Sequence, residues 1–185
     1  MDELTSLAIA AGRGDRGALG RLVSETQADV WRLCAHLVDP AAADDLAQDT
    51  YLRAIPALPR FRGDAPARAW LLAIARRACA AEIGARSRDR RLAARLTATL
   101  GGAPGQSSAE PGAQAAVDEL LAALEPERRA AFVLTQLLGC SYAETAEICE
   151  CPVGTIRSRV ARAREDLDAM TADSGARPAP RAGQR

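Results

Sequence analysis

Apolar residues recur along this chain at the three- and four-residue spacing that puts them on one side of an α-helix. Between residues 18 and 37, leucines and valines at 19, 22, 23, 30, 33 and 37 form such a stripe. The same spacing predicts helices over residues 4–11, 40–55 and 67–88. Runs of β-branched residues with the length of a strand are missing from the sequence. The pattern therefore predicts an all-α protein.

A second group of helices is predicted over residues 113–124, 126–139, 142–149 and 152–167. Gly139 is placed to end one helix, and Ser141 with Glu144 forms a capping box that begins the next. Pro152 suits the first turn of the last helix, with Cys151 at the cap position. Two short helices joined by a turn of three or four residues predict a helix-turn-helix.

Glycine, proline and serine are concentrated between the two groups, in residues 101–114. This composition predicts a flexible tether. We therefore expect two small helical domains, residues 3–95 and 115–170, with a linker over 96–114. A similar composition in residues 171–185 predicts a disordered tail.

Charge is distributed unevenly, although 24 basic residues balance 24 acidic ones over the whole chain. Every basic residue is arginine. Residues 76–95 carry seven arginines and two acids, a net charge of +5, whereas residues 118–150 carry seven acids and two arginines, a net charge of −5. Residues 151–164 carry four arginines and no acid. Each domain therefore has a basic stretch that can neutralise phosphates.

The last predicted helix has two distinct faces at 100° per residue. Ile156, Val160, Ala163 and Leu167 fall within about 60° of one another and form the predicted buried stripe. Small residues and arginine occupy the opposite face: Gly154, Ser158, Ala161, Arg162 and Glu165. Small side chains allow close approach to a major groove, and arginine can bond the edge of guanine. We therefore predict that this helix reads DNA; a solvated basic face is the alternative.

Catalytic and metal-binding functions have little support in the sequence. The five cysteines include a pair, Cys149 and Cys151, spaced C-x-C with no second pair following, so we expect buried thiols and no zinc or other cofactor. No partner for an active-site triad accompanies His36, and we expect no enzyme activity. The longest apolar run, residues 69–75, is far short of a membrane span, and the N-terminus has the reverse of a secretory signal's charge order.

Three segments together resemble the extracytoplasmic-function (ECF) branch of the bacterial sigma-70 family. They are ADDLAQDTYLRA, RFRGD with RAWLLAIARR, and LLGCSYAETAEICECPVGTIRSRVARARE, and the resemblance spans about residues 5–168. It implies an alternative sigma factor, which binds core RNA polymerase and directs promoter-specific initiation. Residues 3–95 would be the sigma-2 domain and residues 115–170 the sigma-4 domain.

The resemblance also implies roles for individual residues. Readout of the −35 element as duplex is carried over to Thr155, Arg157, Ser158, Arg159 and Arg162. Capture of the opened −10 element is carried over to Phe61, Arg62, Gly63, Asp64, Arg68, Trp70, Arg76 and Arg77. Docking on the clamp helices of the largest polymerase subunit is carried over to Asp44, Asp45, Gln48 and Asp49. For Phe61 and Trp70 a role as core anchors is the alternative, and for the acids it is a solubilising face.

The implied partners are core RNA polymerase, including the flap of its second-largest subunit, promoter DNA and an anti-sigma factor. The implied location is the cytoplasm, in association with the nucleoid, without membrane insertion. A different class of protein remains open from the residues alone: a stand-alone helix-turn-helix repressor or activator. Such a regulator would bind its operator without polymerase, as a dimer.

Overall fold

The structure, a computed structural model, describes residues 2–100 and 113–175, without the side chains of residues 96–100, 113–115 and 173–175. Within these residues it contains eight α-helices and no strand, which confirms the predicted all-α class. The helices are α1 (Glu3–Gly12), α2 (Arg16–Leu37), α3 (Pro40–Ala54), α4 (Ala67–Leu100), α5 (Ala113–Ala123), α6 (Pro126–Phe132), α7 (Tyr142–Cys149) and α8 (Val153–Gly175). A 3₁₀ helix (Ile55–Arg60) follows α3, and a π-helical turn (Val133–Leu137) follows α6.

Aspartates begin the first three helices. The Oδ1 atoms of Asp2, Asp15 and Asp39 accept hydrogen bonds from backbone N–H groups three residues later, at 2.8, 3.0 and 2.9 Å. Each bond satisfies a backbone donor that the helix itself leaves unpaired, and the negative charge suits the positive end of the helix dipole. Pro40 occupies the first turn of α3, as the sequence predicts.

The N-terminal domain, α1–α4, encloses a core formed where α1, α2 and the start of α4 meet the 3₁₀ helix. Leu7, Leu22, Leu58 and Leu71 are buried there. The end of α1 lies so close to the 3₁₀ helix that a Cβ on Gly12 would be 2.4 Å from the carbonyl oxygen of Leu58. Only glycine permits this approach.

The C-terminal domain, α5–α8, packs around the predicted stripe of α8. Ile156, Val160 and Ala163 are buried, and Leu167 is half-buried against the same core. The predicted capping box is present: Ser141 Oγ accepts a hydrogen bond from the backbone N–H of Glu144 at 3.1 Å, and Ser141 N–H donates to Glu144 Oε2 at 2.8 Å. These bonds fix the start of α7.

One hydrophobic cluster runs from one domain into the other. It joins Leu33, Leu72 and Cys79 of the N-terminal domain to Leu134 and Ile148 of the C-terminal domain, all of them fully buried. Helix α4 packs against α7, and α2 packs against α5. We call this packing the closed arrangement.

Several predicted boundaries differ from the observed ones. Helix α4 continues to Leu100 and α5 begins at Ala113, so both helices enter the predicted linker, 96–114. Helix α8 continues to Gly175, so residues 171–175 are helical where the sequence predicts disorder. No glycine or proline interrupts residues 85–100 or 155–174, so each helix can continue until the next glycine in the sequence. Residues 101–112 and 176–185 of the predicted linker and tail lie outside the described residues.

Two further differences are local. The carbonyl of Pro152 accepts hydrogen bonds from the N–H groups of Thr155 and Ile156, at 2.9 and 3.3 Å, so α8 begins one residue later than predicted. The helix predicted over residues 126–139 changes from α to π geometry after Phe132. There the N–H of Leu138 bonds the carbonyl of Val133, five residues back, at 3.0 Å.

Candidate nucleic-acid interface

The first three turns of α8 present an exposed face with the predicted composition. Gly154, Arg157, Ser158, Ala161 and Arg162 are all exposed. Within the described residues, no hydrogen bond or ion pair joins the guanidinium of Arg157 or Arg162 to another group. Thr155 is half-buried, and its carbonyl accepts a hydrogen bond from Ser158 Oγ at 2.9 Å. The two guanidinium groups are therefore available to a ligand that approaches this face.

A tight turn fixes the angle between α7 and α8. Glu150 ends α7 with φ 54° and ψ 44°, a left-handed conformation uncommon for residues other than glycine and asparagine. The N–H groups of Glu150 and Cys151 bond back to the carbonyls of Glu147 and Ala146, at 3.2 and 3.1 Å. The helix-turn-helix predicted from the sequence is thus present, and its turn is a folded unit.

Arg159 lies beside the exposed face of α8 but is held by the protein. Its guanidinium forms an ion pair with Glu127 at 3.0 Å and donates to Cys151 Sγ at 3.5 Å. Its side chain is only 24% exposed. Arg159 therefore fastens α8 to the start of α6 within the C-terminal domain.

The loop between the 3₁₀ helix and α4 forms one side of an open pocket of about 310 Å³. The rings of Phe61 and Trp70 lie 5.0 Å apart at an interplanar angle of 40°. Arg60, Arg62 and Asp64 also line the pocket. Gly63, at φ 79°, makes the turn that brings these side chains together. An aromatic wall beside donor and acceptor groups suits a planar base taken out of a stack.

Trp70 combines the two roles that the sequence leaves open. It is half-buried against the core that contains Leu58 and Leu71, and its ring also lines the pocket. Phe61 is half-buried in the same way. Arg60 was given no role from the sequence, although it is the first residue of the RFRGD segment; in the structure it ends the 3₁₀ helix and lines the pocket.

Arg68 lies between the two domains. Its Nε donates to Asp29 Oδ2 at 2.7 Å within the N-terminal domain. Its other nitrogens donate to the carbonyl of Leu138 at 2.7 Å and to Cys140 Sγ at 3.3 Å, both in the C-terminal domain. None of these hydrogen bonds goes to the loop that lines the pocket. The guanidinium of Arg68 instead joins the two domains in the closed arrangement.

Arg76 and Arg77 are engaged by the C-terminal domain as well. Arg76 Nε donates to the carbonyl of Ile148 at 3.0 Å, and its Nη1 lies 3.9 Å from Glu127. Arg77 is bonded to the carboxylate of Glu150. The hydrogen bond and charge of Arg77 hold the pKa of Glu150 below its usual value.

The closed arrangement brings the basic stretch of the sequence against the acidic one. Glu127 contacts an arginine on each side, Arg76 on α4 and Arg159 on α8. Glu127 and Glu150 were given no role from the sequence alone. The opposite net charges of residues 76–95 and 118–150 were nevertheless a signal that the two stretches could pair. The acids neutralise α4 arginines that sequence analysis assigned to DNA.

Arg129 is a further interdomain contact that sequence analysis missed. It donates to the carbonyl of Leu37, at the end of α2, at 2.9 Å. It also donates to the carbonyls of Ala122 and Leu124, at the end of α5. Burial lowers its pKa. One cation thus caps two helix C-termini, where the helix dipoles favour positive charge.

The four residues predicted to dock on polymerase lie along one side of α3. Asp44, Asp45 and Gln48 are exposed, and Asp49 is half-exposed. Asp49 forms an ion pair with Arg53 at 2.7 Å, and Asp44 accepts a hydrogen bond from the indole N–H of Trp31 at 2.8 Å. Asp45 has no bonded partner among the described residues. Of the three carboxylates, Asp45 is therefore the one most available to an external cation.

Among the residues that the structure describes, no group of three or more potential ligands is arranged to hold a metal ion. All five cysteines are free thiols, and only Cys151 is partly exposed. Burial raises the pKa of Cys149 to about 11 and also raises that of Cys140. Such thiols are poor nucleophiles at neutral pH. No helix in the described ranges has the length and apolar character needed to cross a membrane.

The fold and this face define a class: a helical DNA-binding protein with a helix-turn-helix in its C-terminal domain. Family comparisons agree with this class. Sigma-70 region 2 matches residues 22–89, and sigma-70 region 4 matches residues 114–167. The ECF RNA polymerase sigma factor SigC of Mycobacterium tuberculosis is 46% identical over 180 residues, which cover 94% of this chain and 92% of SigC.

Solved structures show the same fold. CnrH, in complex with the cytosolic domain of CnrY, aligns with a TM-score of 0.71 at 29% identity, over 93% of this chain and 99% of CnrH. RpoE of Bartonella quintana, in complex with the anti-sigma factor NepR, aligns with a TM-score of 0.68 at 25% identity, over 83% of this chain and 96% of RpoE. The chain belongs to the ECF group of the sigma-70 family and is an alternative sigma factor. This assignment replaces the alternative of a stand-alone regulator.

Proposed function

We propose that this sigma factor reads a promoter with two separate surfaces. The first three turns of α8 read the −35 element as duplex, through Thr155, Arg157, Ser158 and Arg162, with Arg159 at the edge of the face. The observation that carries this proposal is the pair of exposed guanidinium groups with no partner in the described residues. Each is free to bond a guanine edge in the major groove.

The pocket whose wall is formed by Phe61 and Trp70 receives a base from the opened −10 element. Arg62, Gly63 and Asp64 shape its rim. Extruding a base costs a few kcal/mol, and stacking on an aromatic ring returns about 1–3 kcal/mol. Arg68, Arg76 and Arg77 follow the strand backbone, which positions the strand without specifying its sequence.

This role of Arg68, Arg76 and Arg77 requires the domains to separate. The −10 and −35 elements are about 25 base pairs apart, which is about 85 Å along B-DNA at 3.4 Å per base pair. Two domains in direct contact do not span such a distance, and the α4 arginines are occupied by the C-terminal domain. Promoter binding therefore exchanges the bonds of the closed arrangement for bonds to DNA phosphates.

Core RNA polymerase is the scaffold on which the domains separate. Asp44, Asp45, Gln48 and Asp49 dock on the clamp helices of its largest subunit, and the C-terminal domain docks on the flap of the second-largest. We assign residues 3–95 to the sigma-2 domain, 96–114 to the linker and 115–170 to the sigma-4 domain. The protein performs no covalent chemistry itself and acts in the cytoplasm, at the nucleoid.

An anti-sigma factor is a further partner. Two solved structures with similar folds are complexes, one with the anti-sigma factor NepR and one with the cytosolic domain of CnrY. Their coverage of this chain includes both domains. A partner of this kind would hold the protein away from polymerase.

Transcription in vitro with core polymerase on a library of genomic fragments tests the proposed function. We expect start sites that appear only when the protein is added. The double variant Asp45→Arg/Asp49→Arg should abolish these starts and polymerase binding, while its thermal unfolding stays as in the wild type. Starts that do not depend on the added protein would contradict the proposal.

Phe61→Ala tests the capture of a base. Because the ring acts only once the strands separate, the variant should reduce permanganate reactivity of thymines in the open complex, while initial binding to the duplex promoter stays unchanged. Leu92→Ala, which removes an exposed apolar side chain elsewhere, on α4, is the control. Wild-type thymine reactivity in Phe61→Ala would exclude this role for the pocket.

A further inference from the structure

An apolar groove of about 500 Å³ lies between α2 and α3, next to the acidic residues of α3. Val23, Ala28, Trp31, Ala47 and Tyr51 form its apolar lining. Asp44 and Gln48, two of the four residues proposed to dock on polymerase, line the same groove. The acidic surface of α3 is therefore one rim of a groove whose far wall belongs to α2.

The groove is built from side chains that are held in place. Trp31 is 38% exposed, and its Nε1 donates to Asp44 Oδ1 at 2.8 Å. Beneath the groove the hydroxyl of Tyr51 is 2.8 Å from Thr26 Oγ1, and Thr26 donates to the carbonyl of Leu22 at 2.6 Å. The groove therefore keeps its shape without a ligand, which lowers the entropic cost of binding.

Exposed apolar residues extend the surface beyond the groove. Leu52 is 65% exposed and Ile55 is 41% exposed. They follow Gln48 at intervals of four and three residues, so the three side chains lie along one side of the helix. An apolar strip of this length, bordered by carboxylates, is typical of an interaction site.

The charges around the strip identify the chemistry of the partner. Arg53 is paired with Asp49, and Arg32 is paired with Asp29 at 3.1 Å, so both neighbouring cations are neutralised. Asp45 has no partner in the part of the chain that the structure describes. The surface therefore complements a helix that presents an apolar side chain between basic ones.

We propose that the α2–α3 groove receives an apolar side chain of the basic polymerase helix on which α3 docks, and that Trp31 is a specificity-determining residue of this contact. The proposal rests on the proposed function, since it places the same partner on the same helix. Trp31 acts in two ways: its ring forms a wall of the groove, and its N–H holds the carboxylate of Asp44. Partly exposed tryptophans that become buried on binding dominate many interfaces.

Equilibrium binding of fluorescently labelled full-length protein to core RNA polymerase tests this contact. Trp31→Ala removes the wall, and we expect about ten-fold weaker binding or worse. Trp31→Phe keeps a ring but lacks the N–H, so the loss should be smaller. Leu92→Ala, which removes an exposed leucine outside the groove, should bind as the wild type does. Thermal unfolding of all three variants should stay unchanged.

The salt dependence of binding separates the apolar contact from the acidic one. Trp31→Ala should weaken binding equally at low and high salt, because no ion pair is lost. Asp45→Arg should weaken binding most at low salt, because it removes an attraction that salt screens. A photo-crosslinking amino acid at position 31 should react with the largest polymerase subunit, and one at position 92 should not.

Different outcomes overturn different proposals. If Trp31→Ala binds like the wild type while Asp45→Arg does not, the groove proposal is wrong and docking through α3 stands. If Asp45→Arg also binds like the wild type, docking through α3 is wrong. If the free protein forms a dimer that Trp31→Ala disrupts, the groove serves a second copy of the chain and the proposal is overturned.

Discussion

The two arginine-bearing surfaces of this sigma factor are in different states in the same structure. On α8, Arg157 and Arg162 are exposed and have no bonded partner within the described residues. On α4, Arg68, Arg76 and Arg77 each form hydrogen bonds to the C-terminal domain. The surface proposed to read duplex is therefore available, whereas most of the cationic surface proposed to hold the opened strand is covered.

The difference has a physical origin in the placement of the acids. Glu127 and Glu150 lie on the side of the C-terminal domain that faces α4, whereas residues 153–164, the first half of α8, contain no acid. The pocket at Phe61 is lined by neither domain-bridging acid. Closure thus covers the groups that we propose bind phosphates and leaves the proposed base pocket open. Under the proposed function, the contacts to the strand backbone form only when the domains separate, whereas the base pocket is open in both arrangements.

The largest effect is expected at Arg68. Arg68→Ala leaves the carbonyl of Leu138 and the Oδ2 atom of Asp29 without a charged donor, so the free energy of unfolding should fall by about 1.5–3 kcal/mol. Urea unfolding of the variant and of the wild type measures this difference in the free energy of unfolding. Arg62→Ala, in the exposed loop, should change stability by less than about 0.5 kcal/mol. Equal stabilities for the two variants would mean that the α4 arginines contribute nothing to closure.

Arg162→Ala tests the available surface. Loss of a bidentate contact to guanine should remove about 1–3 kcal/mol of discrimination between the correct and an altered −35 element. The protein should remain as stable as the wild type, because Arg162 has no partner in the described structure. Arg164→Ala, on the same helix but bonded to Gln136 at 2.7 Å, is the control. Unchanged sequence preference in Arg162→Ala would remove this residue from the reading surface.

Glu150→Asn should release the exposed side chain of Arg77 from its ion pair without disturbing α7. Asparagine adopts the left-handed conformation of residue 150 more readily than most residues. The free protein should then bind single-stranded DNA a few-fold more tightly than the wild type, and duplex −35 DNA equally well. Glu147→Gln removes a charge from the same helix and serves as the control. Tighter binding by both variants would show a general charge effect instead of release of Arg77.

The smallest expected effect is a change in the pKa of a single carboxyl group, that of Glu150. The pKa of Glu150 lies below its ordinary value of 4.5 because of Arg77. Its contribution to closure is therefore present above pH 4.5 and is lost as the pH falls through the lowered value. Carboxyl-carbon NMR should show the low pKa in the wild type and an ordinary value in Arg77→Gln. An ordinary pKa in the wild type would mean that the ion pair does not persist in solution.

The features that could be predicted from the sequence are those that depend on residues close together along the chain. The helices, the capping box at Ser141 and the buried stripe of α8 follow from periodicity and cap chemistry. The arginine assignments on α4 stay predictions, because a sequence does not show which carboxylates lie across an interface. Trp31 and Arg129 were missed for the same reason: their partners, Asp44 and the carbonyl of Leu37, meet them only in the folded chain.

The covering of the α4 arginines depends on the closed arrangement, and a distance between the domains tests it most directly. Spin labels at Ala81→Cys on α4 and Ala169→Cys on α8, both exposed positions, would report this distance in a Cys151→Ser background. In the free protein we expect a narrow distribution around a single short distance between the labels. Once core polymerase and promoter DNA are bound, this distance should be larger by tens of ångströms. A broad or already long distance in the free protein, or an unchanged distance on the promoter, would contradict the account.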